Sequence, residues 1–140
     1  MKRNLAERAQ QLQGPRYRGA RSTLVNWTEA VAAGQIEGIL KLYAPDAVLV
    51  PTLSNEIVFS EDDRRRYFEF FLSDGVPSCE IKRDEVRIDQ QNSTVLIGGI
   101  YCFVFPRKSG VEKVPARFLF TFEEFGTRWL ITGHHSSRCV

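Results

Sequence analysis

The sequence predicts an α+β fold in which helices come first and a curved antiparallel sheet follows. Three observations carry this. Apolar residues before Leu72 recur at helical spacing, with Ser, Gly and Pro at the ends of each run. After Pro77 the pattern changes to period two over four long segments. The connections between those segments are short, which suits antiparallel neighbours. At 140 residues, 43% hydrophobic and 26% charged, the chain fits one domain with one core.

Residues 1–21 carry Lys2, Arg3, Arg8, Arg16, Arg18 and Arg21 against Glu7, a net +5 within a chain of net +2. Gly14, Pro15 and Gly19 interrupt helical continuity there. The expectation is a basic, poorly ordered arm over 1–21, with a short helix before Gly14, and one domain over 22–140. Such an arm would be a solvated tail, or it would touch a polyanion. No basic stripe interleaved with aromatics follows in the body, so neither nucleic acid nor membrane is an expected partner of the domain.

Ser22 is the expected N-cap of a first helix whose buried side is Leu24, Trp27 and Val31, with Gly34 at C′. Ile36, Ile39, Leu40 and Tyr43 follow at i, i+3, i+4 and i+7, a second helix stopped by Pro45. Ala47 to Thr52 reads as a short strand limited by Pro51 to an edge or an end, and Ile57 to Phe59 as another. Ser60 caps a third helix, with Asp63 three residues on and Glu61-Asp62-Asp63 at its positive end. Tyr67, Phe68, Phe71 and Leu72 form its buried side, and Arg64-Arg65-Arg66 its solvated side. The four strands are Ser78 to Asp89, Thr94 to Phe105, Glu112 to Glu124 and Thr127 to Ser137.

Register follows from the turns. Phe105 opposite Glu112 puts Tyr101, Phe103 and Phe105 on one face with Val114, Ala116, Phe118, Phe120 and Phe122. Arg117, Leu119 and Thr121 share the other face with Ile100 and Cys102. For the last hairpin, Gly126 fits the αL residue of a three-residue bulged turn. That register sends Leu130, Thr132, His134 and Ser136 inward, and Trp129, Ile131, His135 and Ser137 outward. A two-residue turn would reverse the assignment. The inner face is aromatic enough to need a cover of helices. The outer face mixes Leu119, Trp129 and Ile131 with Arg117, Thr121 and His135, the composition of a protein–protein surface. A homo-oligomer built by sheet contact is therefore expected, with those six residues at the interface.

The two histidines, His134 and His135, are adjacent on a strand and point to opposite faces, so they cannot share a metal. Cys79, Cys102 and Cys139 have no CxxC spacing and read as free thiols of a reducing, cytoplasmic compartment. No segment is long and apolar enough for a transmembrane helix: the longest apolar run, Val95 to Phe105, is 11 residues. No Gly-rich phosphate loop, metal site or cofactor motif is visible. His134 is the candidate general acid or base, with Tyr43 or Tyr101 as hydroxyl donor. The same three residues also fit a hydrogen-bonded core. Asp46 at a helix-to-strand junction reads as a turn residue or as a group at the cavity mouth.

The run from Leu42-Tyr43-Ala44-Pro45-Asp46-Ala47 to Ser54-Asn55, the pair Tyr67-Phe68, then Gly99-Ile100-Tyr101-Cys102-Phe103, Ala116-Arg117-Phe118, Trp129-Leu130-Ile131 and His134-His135-Ser136-Ser137 resemble the nuclear-transport-factor-2-like superfamily. Within it, the chain is most similar to the association (hub) domain of calcium/calmodulin-dependent protein kinase II and its stand-alone bacterial relatives. The resemblance implies a cone in which three helices pack on a strongly bent antiparallel sheet around an internal pocket. Here that pocket would be lined by Tyr43, Tyr101, Phe103, Phe118, Phe120, His134 and Ser136. Hub pockets are rich in arginine, whereas Phe103, Phe120 and Ser136 occupy the matching positions. The implied function is a non-catalytic, homo-oligomerising domain with a pocket of small-molecule size, its partners being copies of itself and a small ligand. The alternative is an isomerase, dehydratase or cyclase acting on an apolar carbonyl compound.

Overall fold

The computed structural model describes residues 5–52 and 54–140. Helices α1 (Leu5–Gln13) and α2 (Pro15–Ala32) meet at Gly14, which takes an extended N-cap conformation with Pro15 at the first helical position. The helix expected to begin at Ser22 therefore begins seven residues earlier. Pro15 lacks only an N–H that no helix start can use. Gly19 lies inside the helix and does not break it. A Cβ at Gly19 would stand 2.2 Å from Trp129 Cδ1, so the missing side chain lets α2 rest on that indole. Gly34 (φ 65) ends α2 in a Schellman motif, with Gln35 N–H donating to Ala30 O and Gly34 N–H to Val31 O.

Helix α3 is only Ile36–Leu40. Tyr43 and Pro45, expected in or against that helix, instead open strand β1 (Tyr43–Val50). Residues 57–59 form a single bridge, Val58 to Leu49, on the free edge of β1. Helix α4 (Glu61–Leu72) starts as predicted, with Ser60 Oγ accepting from Asp63 N–H. Four long strands then run as a meander: β2 (Ser78–Asp89), β3 (Thr94–Arg107), β4 (Gly110–Phe125) and β5 (Arg128–Arg138).

The sheet has five strands in the order β1-β5-β4-β3-β2 and is open. It is mixed rather than wholly antiparallel, because β1 joins β5 in parallel. The helical crossover from β1 to β2 leaves β1 free to run alongside the last strand. The predicted Phe105–Glu112 register holds, and Val95, Ile97, Tyr101, Phe103, Phe105, Val114, Ala116, Phe118, Phe120 and Phe122 are all buried. α2 covers them with Ala20, Leu24, Trp27 and Val31, each at most 1% exposed.

The last hairpin departs from expectation in an instructive way. Phe125 pairs with Arg128, so the turn has two residues, with Gly126 (φ 63) first. The bulge lies farther on, between the pairs Phe122–Ile131 and Thr121–Gly133, leaving Thr132 unmatched. Thr132 Oγ1 sits 3.0 Å from Thr121 Oγ1, and a Cβ on residue 133 would come within 2.6 Å of that oxygen. Glycine at 133 is what lets the strand close up there. The inserted residue reverses the alternation once. Before the bulge, Trp129 and Ile131 face the core rather than the outside. After it, His134 and Ser136 face inward and His135 outward, as predicted.

Candidate functional site

The inner site is a polar chain threaded through an aromatic core. α2 supplies Trp27, β1 Tyr43, β3 Tyr101, β5 His134 and Ser136, and the segment after β1 supplies Thr52. Trp27 Nε1 donates to Tyr43 Oη at 3.0 Å. Tyr43 Oη lies 2.9 Å from His134 Nδ1, and Tyr101 Oη 3.2 Å from Nε2. Tyr101 Oη donates to Ser136 Oγ at 2.6 Å, and Thr52 Oγ1 donates to the same oxygen at 2.5 Å. Tyr67 Oη donates to Thr52 O at 3.2 Å.

Donor chemistry orients the chain. Indole N–H can only donate, so the Tyr43 oxygen accepts and its proton is directed to Nδ1. A neutral imidazole then carries its proton on Nε2 and donates it to Tyr101. Burial, with a smaller contribution from neighbouring His135, lowers the His134 pKa to about 3. The ring is therefore neutral near pH 7, as this pattern requires. Burial likewise pushes the Tyr43 and Tyr101 hydroxyls well above their usual range. His134 stacks on Phe120 with ring centroids 3.8 Å apart and meets the Trp27 edge at 5.3 Å.

All seven residues expected to line the pocket lie in this interior, and all are buried. The space they enclose is narrow. The space left beside Thr52, Tyr101, His134 and Ser136 is about 10 Å³, room for roughly one water. Trp27 and Phe68, each 1% exposed, fill the cone from the helix side. Asp46 is exposed on β1, away from this interior.

Arg64 is a correction. It is 1% exposed, not solvated. From α4 its Nη1 donates to Ala47 O at 2.9 Å, and its Nη2 to Ala44 O at 3.2 Å and Pro45 O at 3.0 Å. These carbonyls lie where β1 loses register with β5, between Tyr43 and Val48. The guanidinium replaces the missing strand partner and lies 5.7 Å from the Tyr43 ring, steadying the residue that holds His134. Arg64 stands four residues before buried Phe68, so the helical period marks it as inward-facing. Trp27 and Thr52 were missed as members of the chain, since pairing across separate elements leaves no local signal.

The outer face of the sheet is the second site. Reading across the registers, one row runs Val50, His135, Leu119, Gly98, Glu85, and the next runs Val48, Gly133, Thr121, Leu96, Arg87. Ile57 and Phe59 flank the bridge residue Val58 and extend these rows beyond β1. Val48, Ile57, Phe59 and Leu119 are 45%, 65%, 64% and 43% exposed. Arg117, Leu119 and His135 are exposed and Thr121 half-buried, all on this face as predicted. Ile131, at 0% exposure, belongs to the core, and Trp129 packs under α2 with its carbonyl accepting from Thr23 Oγ1 at 2.7 Å. Among the described residues no group of His, Cys, Asp and Glu could hold a metal ion, and no helix is long and apolar enough to cross a membrane.

Comparison with known proteins bears on both sites. A family model described as the calcium/calmodulin dependent protein kinase II association domain matches residues 21–139. A crystal structure from Xanthomonas campestris described as such an association domain is 37% identical, covers 83% of this chain and 82% of its own, and superposes with a TM-score of 0.76. A ketosteroid isomerase-like protein from Erwinia carotovora atroseptica (13% identity, 91% and 98% covered, TM-score 0.74) shares the fold. So does a protein of the NTF2-like family from Streptomyces avermitilis described as a dehydratase (12% identity, 89% and 97% covered, TM-score 0.77). No curated protein matches the chain.

Proposed function

The chain belongs to the calcium/calmodulin-dependent protein kinase II association-domain family, and from that premise we propose that it is a self-associating module that works through the outer face of its sheet. One observation carries the reading. Val48, Ile57, Phe59 and Leu119 present apolar surface on one continuous sheet face, where a solvated antiparallel sheet would alternate to polar residues. Arg117 and His135 give that face the polar admixture typical of interfaces.

The interior supports a structural role over acid–base chemistry at His134. A general base works best with a pKa near the operating pH. His134 is lowered to about 3, both of its ring nitrogens are occupied by tyrosine hydroxyls, and about 10 Å³ remains beside it. An isomerase or dehydratase reading would need an opened cone.

Light scattering coupled to size exclusion tests the proposal. The expected mass at micromolar concentration is a multiple of 16.0 kDa, and Leu119→Arg shifts it to the single-chain value. A parent chain that elutes as a clean monomer refutes the reading.

A further inference from the structure

Helix α1 presents its apolar side to water. At about 100° per residue, Leu5, Ala9 and Leu12 share a stripe of about 60° of arc, and Glu7 and Gln10 lie on the opposite side. An amphipathic helix on a globular domain rests on the first kind of face and shows the second to solvent. Here the order is reversed. Glu7 and Gln10 line a cleft of about 590 Å³ with Ile88, Asp89, Gln90 and Gln91, at the end of β2 and its turn. Leu5 is 83% and Leu12 44% exposed, and Ala9 is exposed between them. The apolar stripe therefore points away from the protein body.

Charge indicates what covers it. Residues 1–21 carry a net +5 in a chain of net +2, so the remainder carries −3. Arg21 is paired with Asp84 at 2.8 Å. Lys2, Arg3, Arg8, Arg16 and Arg18 stand before, within or just after the leucine stripe in sequence. Outward leucines among cations, on a body of opposite net charge, suit the surface of an anionic bilayer. We propose that α1 is a membrane-surface anchor: Leu5, Ala9 and Leu12 enter the headgroup boundary, and the surrounding cations meet anionic lipid headgroups. The negative body is then repelled toward the water side. This goes beyond self-association, since α1 precedes the residues 21–139 matched by the association-domain model.

Two other occupants fit less well. A second copy of α1 would bring one basic segment against another. Two leucines a side also fall far short of the roughly 800 Å² per partner that a stable interface buries. A nucleic acid would use the cations and set Leu5 and Leu12 against its phosphates. A lipid surface uses both sets of side chains. Each Lys or Arg near it contributes about fivefold in partitioning, and each leucine reaching the acyl boundary about tenfold. One nine-residue helix is thus a weak anchor, which an assembly of several copies would strengthen.

Sedimentation of the full chain with sucrose-loaded vesicles tests the proposal. One set is phosphatidylcholine alone, and the other contains about 30% phosphatidylserine. Binding is expected to the second set only, and should fall as salt is raised. Leu5→Gln/Leu12→Gln should weaken it roughly hundredfold. Lys2→Gln/Arg3→Gln should weaken it roughly 25-fold. Because Leu5 and Leu12 are exposed, the leucine variant should keep the parent's unfolding midpoint and its mass by light scattering. Lost binding then reports the lipid contact and not a lost fold or assembly. The proposal is overturned if the parent chain ignores anionic vesicles, or if the leucine variant binds them as the parent does. A smaller mass for the leucine variant would assign the stripe to a second copy instead. Equal retention of parent and leucine variant on a DNA duplex, without vesicle binding, would assign the segment to a nucleic acid.

Discussion

Replacing Arg64 should be the most damaging single change to an arginine in this protein. Three hydrogen bonds from its guanidinium reach Ala44, Pro45 and Ala47 carbonyls at 2.9–3.2 Å. Ala44 and Ala47 are 0% exposed, so in Arg64→Ala their oxygens lose the cation and gain no water. An orphaned buried acceptor costs about 1–3 kcal/mol, and the vacated stem leaves a cavity in addition. Against this, the cation's own burial is costly, and its Nε has no partner. The balance is a loss of about 4 kcal/mol, within the range for removing one side of a buried ionic contact. For a chain of this size that lowers Tm by roughly 12–16 °C. Arg64→Lys should recover about half, because an ammonium cannot span three carbonyls as a planar fork does. Arg65, one residue on, pairs with Glu37 at 2.5 Å in solvent, and Arg65→Ala should leave Tm unchanged. Thermal unfolding followed by circular dichroism reads all three variants. An Arg64→Ala Tm within 3 °C of the parent, or an Arg64→Lys indistinguishable from it, would refute the role given to this side chain.

Three further outcomes follow from the interior. His134 has a folded pKa of about 3 against 6.5 for the unfolded chain, so the unfolded state binds the extra proton between those values. Its contribution is intact above about pH 6.5 and declines as pH falls, by up to about 1.4 kcal/mol per unit. Urea midpoints from pH 7 to pH 4 should drop less steeply in His134→Gln than in the parent, and equal slopes would contradict the neutral, buried ring. Gly99→Ala places a methyl 1.9 Å from a backbone oxygen that cannot swing aside, so the variant should fail to fold or lose more than about 4 kcal/mol, as judged by yield and unfolding midpoint. Gly19→Ala meets the Trp129 indole at 2.2 Å and should destabilise by about 2 kcal/mol despite the helical preference for alanine, with a change in tryptophan fluorescence; a stabilised Gly19→Ala would mean that α2 does not rest on that ring.

The long strands were legible because period two persists through them. All four were placed within three residues at each end, and the Phe105–Glu112 register followed from one turn. The helix starts were less so, for opposite reasons. Ser60 is a side-chain cap that the sequence displays, with Asp63 in position to donate. The Gly14-Pro15 start makes no side-chain hydrogen bond, and Gly14, Pro15 and Gly19 together read as breaks in the helix. The aromatic half of the inner site was visible as one sheet face. Its helix half was not, because Trp27 reaches Tyr43 only through the packing of α2 across the sheet.

The bulge at Thr132 shows where single-strand reasoning stops. Either register on its own assigns half of β5 wrongly. A uniform inward set beginning at Leu130 buries His134 and Ser136 but exposes Ile131; its mirror buries Ile131 but turns His134 to solvent. Sequence alternation cannot choose between them, because apolar side chains on this strand, Trp129, Leu130 and Ile131, run consecutively. The resolution uses both: one extra residue, placed where Gly133 lets Thr121 and Thr132 hydrogen-bond. Trp129 is then free to lie under α2, and His134 to close the tyrosine chain. The surface left facing outward is also changed. Removing Trp129 and Ile131 from it moves the apolar weight of the face toward β1 and the 57–59 segment.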